Sequence, residues 1–323
     1  MALGGRFTKC YDFTGAVQSL HRCRGTPMRH LETFRLIAAV ARAGSIRKAA
    51  EDVNLTASAL NRRIARFEEE FGAPLFERLP RGVRLNTVGE LVLQHYLAQK
   101  SDLARLHGQI ADLSGERRGH VTIACSQALI PYFLPDQIAR YRHDHPGVTF
   151  SIKVRDREQA ERDLAAFACD LALVFEPVHM VDFDVLHSVP QAVMALLGPA
   201  HPLAERGELR LRDCLDRPHV APSLRYGVRA LLEAAAKRNG RAVTPSVETD
   251  SFELIRHYVL RENLVGFQIA IGLRARHGLT IRPISERDLP RGHLLLGQMK
   301  RRALPIAAFR FAQQLAASLD AEA

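Results

Sequence analysis

GSIRKAAEDVNLTASALNRRI, residues 44–64, decides how this chain is read. Ile46, Ala49, Ala50 and Val53 recur at helical spacing and predict one apolar face. Val53-Asn54-Leu55 then breaks the pattern, as a tight turn between two packed helices would. Thr56 can cap the next helix, its hydroxyl accepting a hydrogen bond from an orphan backbone N–H. Leu60, Ile64, Phe67 and Phe71 form the second buried stripe, which leaves Asn61, Arg62, Arg63 and Arg66 facing outward. Small side chains at Ala49 and Ala59 let the two helices cross closely. Arginines on a helix are usually only a solvated face, so the flanking sequence has to decide their role.

Upstream, Leu31, Phe34, Ala38 and Ala41 predict a third helix beneath the pair. Downstream, residues 74–85 hold Arg78, Arg81 and Arg84 around Gly82, with Val83 and Leu85 alternating. That pattern predicts a small basic β wing. Three helices, a turn and a wing make a winged helix-turn-helix, which lays its second helix in the major groove of double-stranded DNA. Lys48, Arg81 and Arg84 are then expected at phosphates. Thr56, Ser58, Asn61 and Arg62 are expected near base edges, with Arg63 and Arg66 on the same helix surface. The chain carries 45 Lys and Arg against 35 Asp and Glu, a formal +10, which favours a polyanionic partner.

From Asn86 or Thr87 to residue 113 the pattern is one long helix, opened by a Thr87-x-x-Glu90 capping box. Val92, Tyr96, Gln99, Leu103, Leu106, Ile110 and Leu113 alternate by fours and threes, a seam on which two chains can pair. At 1.5 Å per residue it would extend roughly 40 Å. The competing reading is an amphipathic helix packed on its own domain. GERRG, residues 115–119, reads as a hinge. Beyond it, strands are expected at 120–125, 148–154, 171–175, 193–197, 265–271 and 294–298. Helices are expected at 130–141, 158–167, 228–238, 252–260 and 305–318. Such alternation predicts a mostly parallel sheet covered on both faces. Ligands of open α/β sheets sit beyond the carboxyl ends of strands. That rule selects Ser126, Gln127, Phe175, Pro222, Ser223, Gly266 and Gln268, with Glu176, Pro177, Asp250, Ser251 and Phe267 beside them. Ser126 and Gln127 stand out, because a helix start favours an anion.

Residues 31–89 resemble the DNA-binding end of LysR-type transcriptional regulators. GAPLFERLPRGVRLNTVG, residues 72–89, carries the likeness most clearly, and it continues to about residue 319. Where the family often has serine and proline on the recognition helix, this chain has Asn61 and Ser58; Arg62 matches. The resemblance implies an α+β multidomain protein: an N-terminal winged helix-turn-helix (28–86), a linker and dimerisation helix (87–116), and a C-terminal effector-binding domain (117–320). That last part would be two-lobed, α/β, and like periplasmic binding proteins. Lobe I would take 119–187 and 284–319, and lobe II 188–283. It also implies a homodimer or homotetramer and a small-molecule effector, which the helix start at Ser126 and Gln127 makes an anionic metabolite.

Other classes find little support. Cys10, Cys23, Cys125, Cys169 and Cys214 lack CxxC spacing and suit reduced thiols in a cytoplasm. His143-Asp144-His145 precedes Pro146-Gly147 and reads as a turn, not a metal site. No phosphate loop, zinc-protease motif or nucleophile elbow is present, so neither an enzyme nor a cofactor is expected. No segment is long and apolar enough for a membrane span. Residues 1–27 are expected to be disordered or wrongly assigned, with Met28 the true start. The alternative function is a small-molecule binding protein associated with uptake.

Overall fold

The computed structural model describes residues 27–80, 82–113, 118–180, 183–274, 278–300 and 302–321. Arg81, the hinge residues 115–117 and residues 1–26 lie outside the described residues. The chain divides into two compact units between Leu97 and Ala98.

The first unit opens with helices α1 (Pro27–Ala43), α2 (Ile46–Asp52) and α3 (Ala57–Phe71). Strands β1 (Phe76–Leu79) and β2 (Gly82–Leu85) follow as an antiparallel hairpin, and then helix α4 (Thr87–Leu113) begins. The core gathers Leu36, Ile37, Val40, Ala49, Ala50, Leu60, Ile64, Phe67, Leu75 and Val92. Each large apolar side chain buried there contributes roughly 1.5–3 kcal/mol. α1 buries Leu36, Ile37 and Val40 rather than the predicted stripe; Leu31 is exposed, and Phe34 is half-buried with its edge against Phe67. Phe71 is also exposed, stacked on Phe67 at the end of the helix. The α2–α3 turn is held by Asn54 in the left-handed region. Gly82 has a positive φ, and a Cβ there would collide with the Gly44 carbonyl. That carbonyl accepts the Val83 N–H at 3.0 Å, which docks the wing on the α1–α2 turn.

The predicted capping box is not what starts α4. Asn86 does so: its Oδ1 accepts the Gly89 N–H at 2.9 Å, and its Nδ2 donates to the Pro74 carbonyl. The predicted seam also splits. Val92 is in the core of the first unit and Tyr96 lies 6.0 Å from the Phe34 ring, whereas Leu103, Leu106 and Ile110 are exposed.

The second unit holds two mixed sheets rather than one mostly parallel sheet. Strands β3 (Arg118–Cys125), β4 (Gly147–Val154) and β5 (Leu171–Phe175) run parallel, with helices α5 (Phe133–Asp144) and α6 (Arg157–Ala165) between them. β6 (Phe183–Gln191) and the late strand β12 (Gly292–Met299) complete the order β4-β3-β5-β12-β6. β12 is antiparallel to both its neighbours. Sequence placed the change of lobe at residue 188, but β6 stays in the first sheet to Gln191, so the crossing falls at Ala192. The return crossing lies between Ile284, which bridges Leu209, and Gly292.

The second sheet is built from β7 (Val193–Leu197), β8 (Val220–Pro222), β9 (Val247–Thr249), β10 (Gly266–Ile269) and β11 (Thr280–Pro283). β10-β7-β11 is antiparallel, β8-β9 is parallel, and a His219–Val265 bridge joins the two pieces. Helices α7 (Leu211–Leu215), α8 (Gly227–Arg238) and α9 (Phe252–Glu262) belong to this lobe. α10 (Ile306–Ala321) returns to the first, burying Phe311 and Leu315. Among the described residues no helix is long and apolar enough to cross a membrane.

Candidate nucleic-acid interface and effector cleft

α3 is placed by its cap and its stripe. Thr56 Oγ1 accepts the Ala59 N–H at 3.2 Å, as expected from sequence, and lies 3.2 Å from Ser58 Oγ. Leu60, Ile64 and Phe67 face the core. With those positions fixed, 3.6-residue geometry sends Ser58, Asn61, Arg62, Arg63 and Arg66 to the other side, and all five are exposed. Lys48 is exposed on α2.

The cations differ in how free they are. Lys48, Arg62 and Arg63 have no ion pair among the described residues. Arg66 Nε donates to Glu70 Oε1 at 2.9 Å on its own helix. On the wing, Arg84 faces Glu77 across the hairpin and donates to Glu77 Oε2 through Nη2 at 2.7 Å and Nε at 3.2 Å. That hydrogen bond and the carboxylate charge push the Arg84 guanidinium pKa above its usual value. Arg84 is therefore oriented before it meets any ligand, with Nη1 left to donate.

In the second unit a cleft opens at the carboxyl ends of β3, β4 and β5. Ser126, Arg155, Asp156, Arg157 and Phe175 line it from one lobe, and Tyr226, Gly227, Val228 and Phe252 from the other. Of the residues selected from sequence, Ser126 and Phe175 are in this lining. Ser126 caps only a three-residue 3₁₀ turn, through the Ala128 N–H. Gln127 Oε1 instead accepts the Phe252 N–H, a bond between the lobes. Ser223 is tied to Asp250, and Pro222 is buried in β8. Gly266 packs under Ile255 and Val259, and buried Gln268 donates to the Gly272 carbonyl at 2.9 Å.

Sequence reading missed Arg155, Arg157 and Tyr226. Arg155 Nε donates to Asp163 and Arg157 Nη1 to the Glu176 carbonyl, which leaves each guanidinium with further N–H donors. Asp156 is occupied in capping α6. Tyr226 begins α8 without a side-chain cap, so the first N–H groups of that helix remain available where Gly227 and Val228 line the cleft. Donors and cations together favour a negatively charged guest. Gly227 is required: a Cβ would collide with the Phe175 carbonyl of the opposite lobe. Burial pushes the thiols of Cys125 and Cys214 up to about 12, so neither is a ready thiolate.

Comparison with known proteins follows the same division. Residues 30–90 match the family model "Bacterial regulatory helix-turn-helix protein, lysR family". Residues 114–320 match the LysR substrate binding domain. The chain is 28% identical over 229 residues to the HTH-type transcriptional activator CmpR of Synechocystis, covering 71% of this chain and 75% of that one. It is 26% identical over 284 residues to the RuBisCO operon transcriptional regulator of Allochromatium vinosum, covering 87% and 94%. Full-length OxyR of Pseudomonas aeruginosa shares the fold with a TM-score of 0.63 at 19% identity, over 90% of this chain and 94% of that one. Full-length CbnR, solved with its target DNA, aligns with a TM-score of 0.54 at 15% identity, over 89% and 99%. An uptake-associated binding protein would not carry the helix-turn-helix match. With both its units accounted for, the chain belongs to the LysR family of bacterial helix-turn-helix regulators.

Proposed function

We propose that this protein is a cytoplasmic transcriptional regulator that binds double-stranded DNA sequence-specifically and responds to a small anionic metabolite. It is not an enzyme. The observation that carries the DNA reading is α3, a capped helix whose outward face carries exposed Arg62 and Arg63, neither in an ion pair among the described residues. Arg62, Asn61, Ser58 and Thr56 read base edges, and Lys48, Arg63, Arg66, Arg81 and Arg84 hold phosphates. An arginine donating to guanine O6 and N7 supplies about 1–3 kcal/mol of discrimination.

A single module reads a short site, so two chains act together. The exposed Leu103, Leu106 and Ile110 on α4 support a homodimer paired through that helix, or a dimer of dimers. The effector binds between the lobes, held by Arg155, Arg157, Ser126 and the start of α8, with Phe175 and Tyr226 packing against it. Gln127 links the lobes directly. Pro222, Ser223, Gly266 and Gln268 act behind this layer.

The test is fluorescence anisotropy of the full chain with duplex taken from upstream of its own gene, against a scrambled duplex. Preferential binding of the first supports the reading. Equal, weak binding of both would leave a basic protein without a site.

A further inference from the structure

Arg302 follows β12 and is almost entirely buried; its side chain is 7% exposed. A buried cation is tolerated only when its donors are satisfied, and here each nitrogen has a partner. Nη2 donates to Asp170 Oδ1 at 2.6 Å, and Nη1 to the Cys169 carbonyl at 2.6 Å. Nε donates to Ser101 Oγ at 2.9 Å. The Phe167 ring, on a residue with positive φ, lies 5.2 Å from the guanidinium carbon. Asp170 is itself fixed: its Oδ2 accepts the Thr122 N–H of β3 at 2.8 Å, and its own N–H donates to the Thr122 carbonyl.

These partners belong to different parts of the unit. Ser101 is on α4 and is buried to 6% exposure. Asp170 is the residue just before β5. β5 is buried along its whole length and ends at Phe175, which lines the cleft. Leu173 and Val174 of the same strand also line the cleft, so only about 10 Å of strand separates Asp170 from the cleft wall.

We infer that Arg302 is the joint that fastens helix α4 to the first lobe, through Ser101 on one side and Asp170 at the base of β5 on the other. α4 then turns with the first lobe as one piece, and a ligand that shifts the first lobe against the second also shifts α4. The joint is a positioning device and touches neither DNA nor effector. It rests on the regulatory reading only for its purpose; the attachment itself is testable without DNA or ligand.

Replacing Arg302 by alanine would strand Asp170 and risk misfolding, so the test uses Ser101. The full chain, with Cys10→Ser and Cys23→Ser, is spin-labelled at Lys100→Cys and Glu158→Cys, both exposed positions, and diluted into unlabelled chain. Double electron–electron resonance then reads the α4-to-α6 distance. The parent is expected to give one narrow distribution, and Ser101→Thr, which keeps the hydroxyl, the same one. Ser101→Ala is expected to widen it about twofold, because loss of one buried hydrogen bond frees a local segment. An Ala distribution identical to the parent would overturn the joint. So would equal widening by Thr and Ala, which would mark a general sensitivity of the packing at this site rather than a hydroxyl contact.

Discussion

On α3 of the first unit, Arg62 and Arg63 stand exposed and, among the described residues, without acidic partners, whereas in the second unit Arg155, Arg210, Arg229, Arg274 and Arg302 each contact a carboxylate. A chain with a formal charge of +10 thus carries very different kinds of positive charge. An unpaired surface arginine can neutralise a phosphate and so release the cations condensed on a duplex. An arginine already bridging Asp or Glu has less net charge to offer a phosphate, and serves geometry instead. Arg66 and Arg84 lie between these limits, exposed but tied to Glu70 and Glu77.

This contrast can be broken in four places. The largest effect is expected from Arg62→Ala: the preference for a specific over a scrambled duplex should fall about 10- to 100-fold, by anisotropy. An unchanged ratio would remove Arg62 from base reading. Next is Gly227→Ala at the cleft, where the new Cβ must displace backbone. About 1–3 kcal/mol of stability should be lost in urea melts, while Gly207→Ala, with open space around it, should be neutral. Third, Arg84→Ala should flatten the plot of log K against log salt by about one unit. Arg241→Ala, whose parent residue is paired with Asp216 in the second unit, should leave that slope alone.

The smallest effect is on pH. Burial holds the imidazoles of His219 and His201 below the usual histidine pKa, so the unfolded chain binds protons that the folded one does not. Stability should therefore be full above about pH 6.5 and decline as pH falls below it, by at most about 1.4 kcal/mol per pH unit for each group. His219→Gln should reduce that slope in melts between pH 7.5 and 5.5.

The first unit was legible because its site is local. Thr56, Asn61 and Arg62 lie within seven consecutive residues, so helical spacing alone sorts core from surface. The cleft is assembled from five distant segments. The strand-end rule found Ser126 and Phe175, and the same rule applied to the end of β4 would have given Arg155 and Arg157. Tyr226 carried no such signal, since it follows a loop after a three-residue strand. β6 was hidden because an edge strand tolerates Asp184, Ser188 and Pro190, which blur its alternation. On α4, spacing could not show that Val92 and Tyr96 are used by their own unit, because packing against the first helices and pairing with a second chain demand the same apolar seam.

Amide hydrogen exchange of the full chain, with and without duplex from upstream of its own gene, tests the central claim most directly. Slower exchange confined to residues 56–66 and the wing at 76–85 is expected on adding DNA. Bound duplex with unchanged exchange in both segments would contradict the assignment of α3 as the helix that enters the groove.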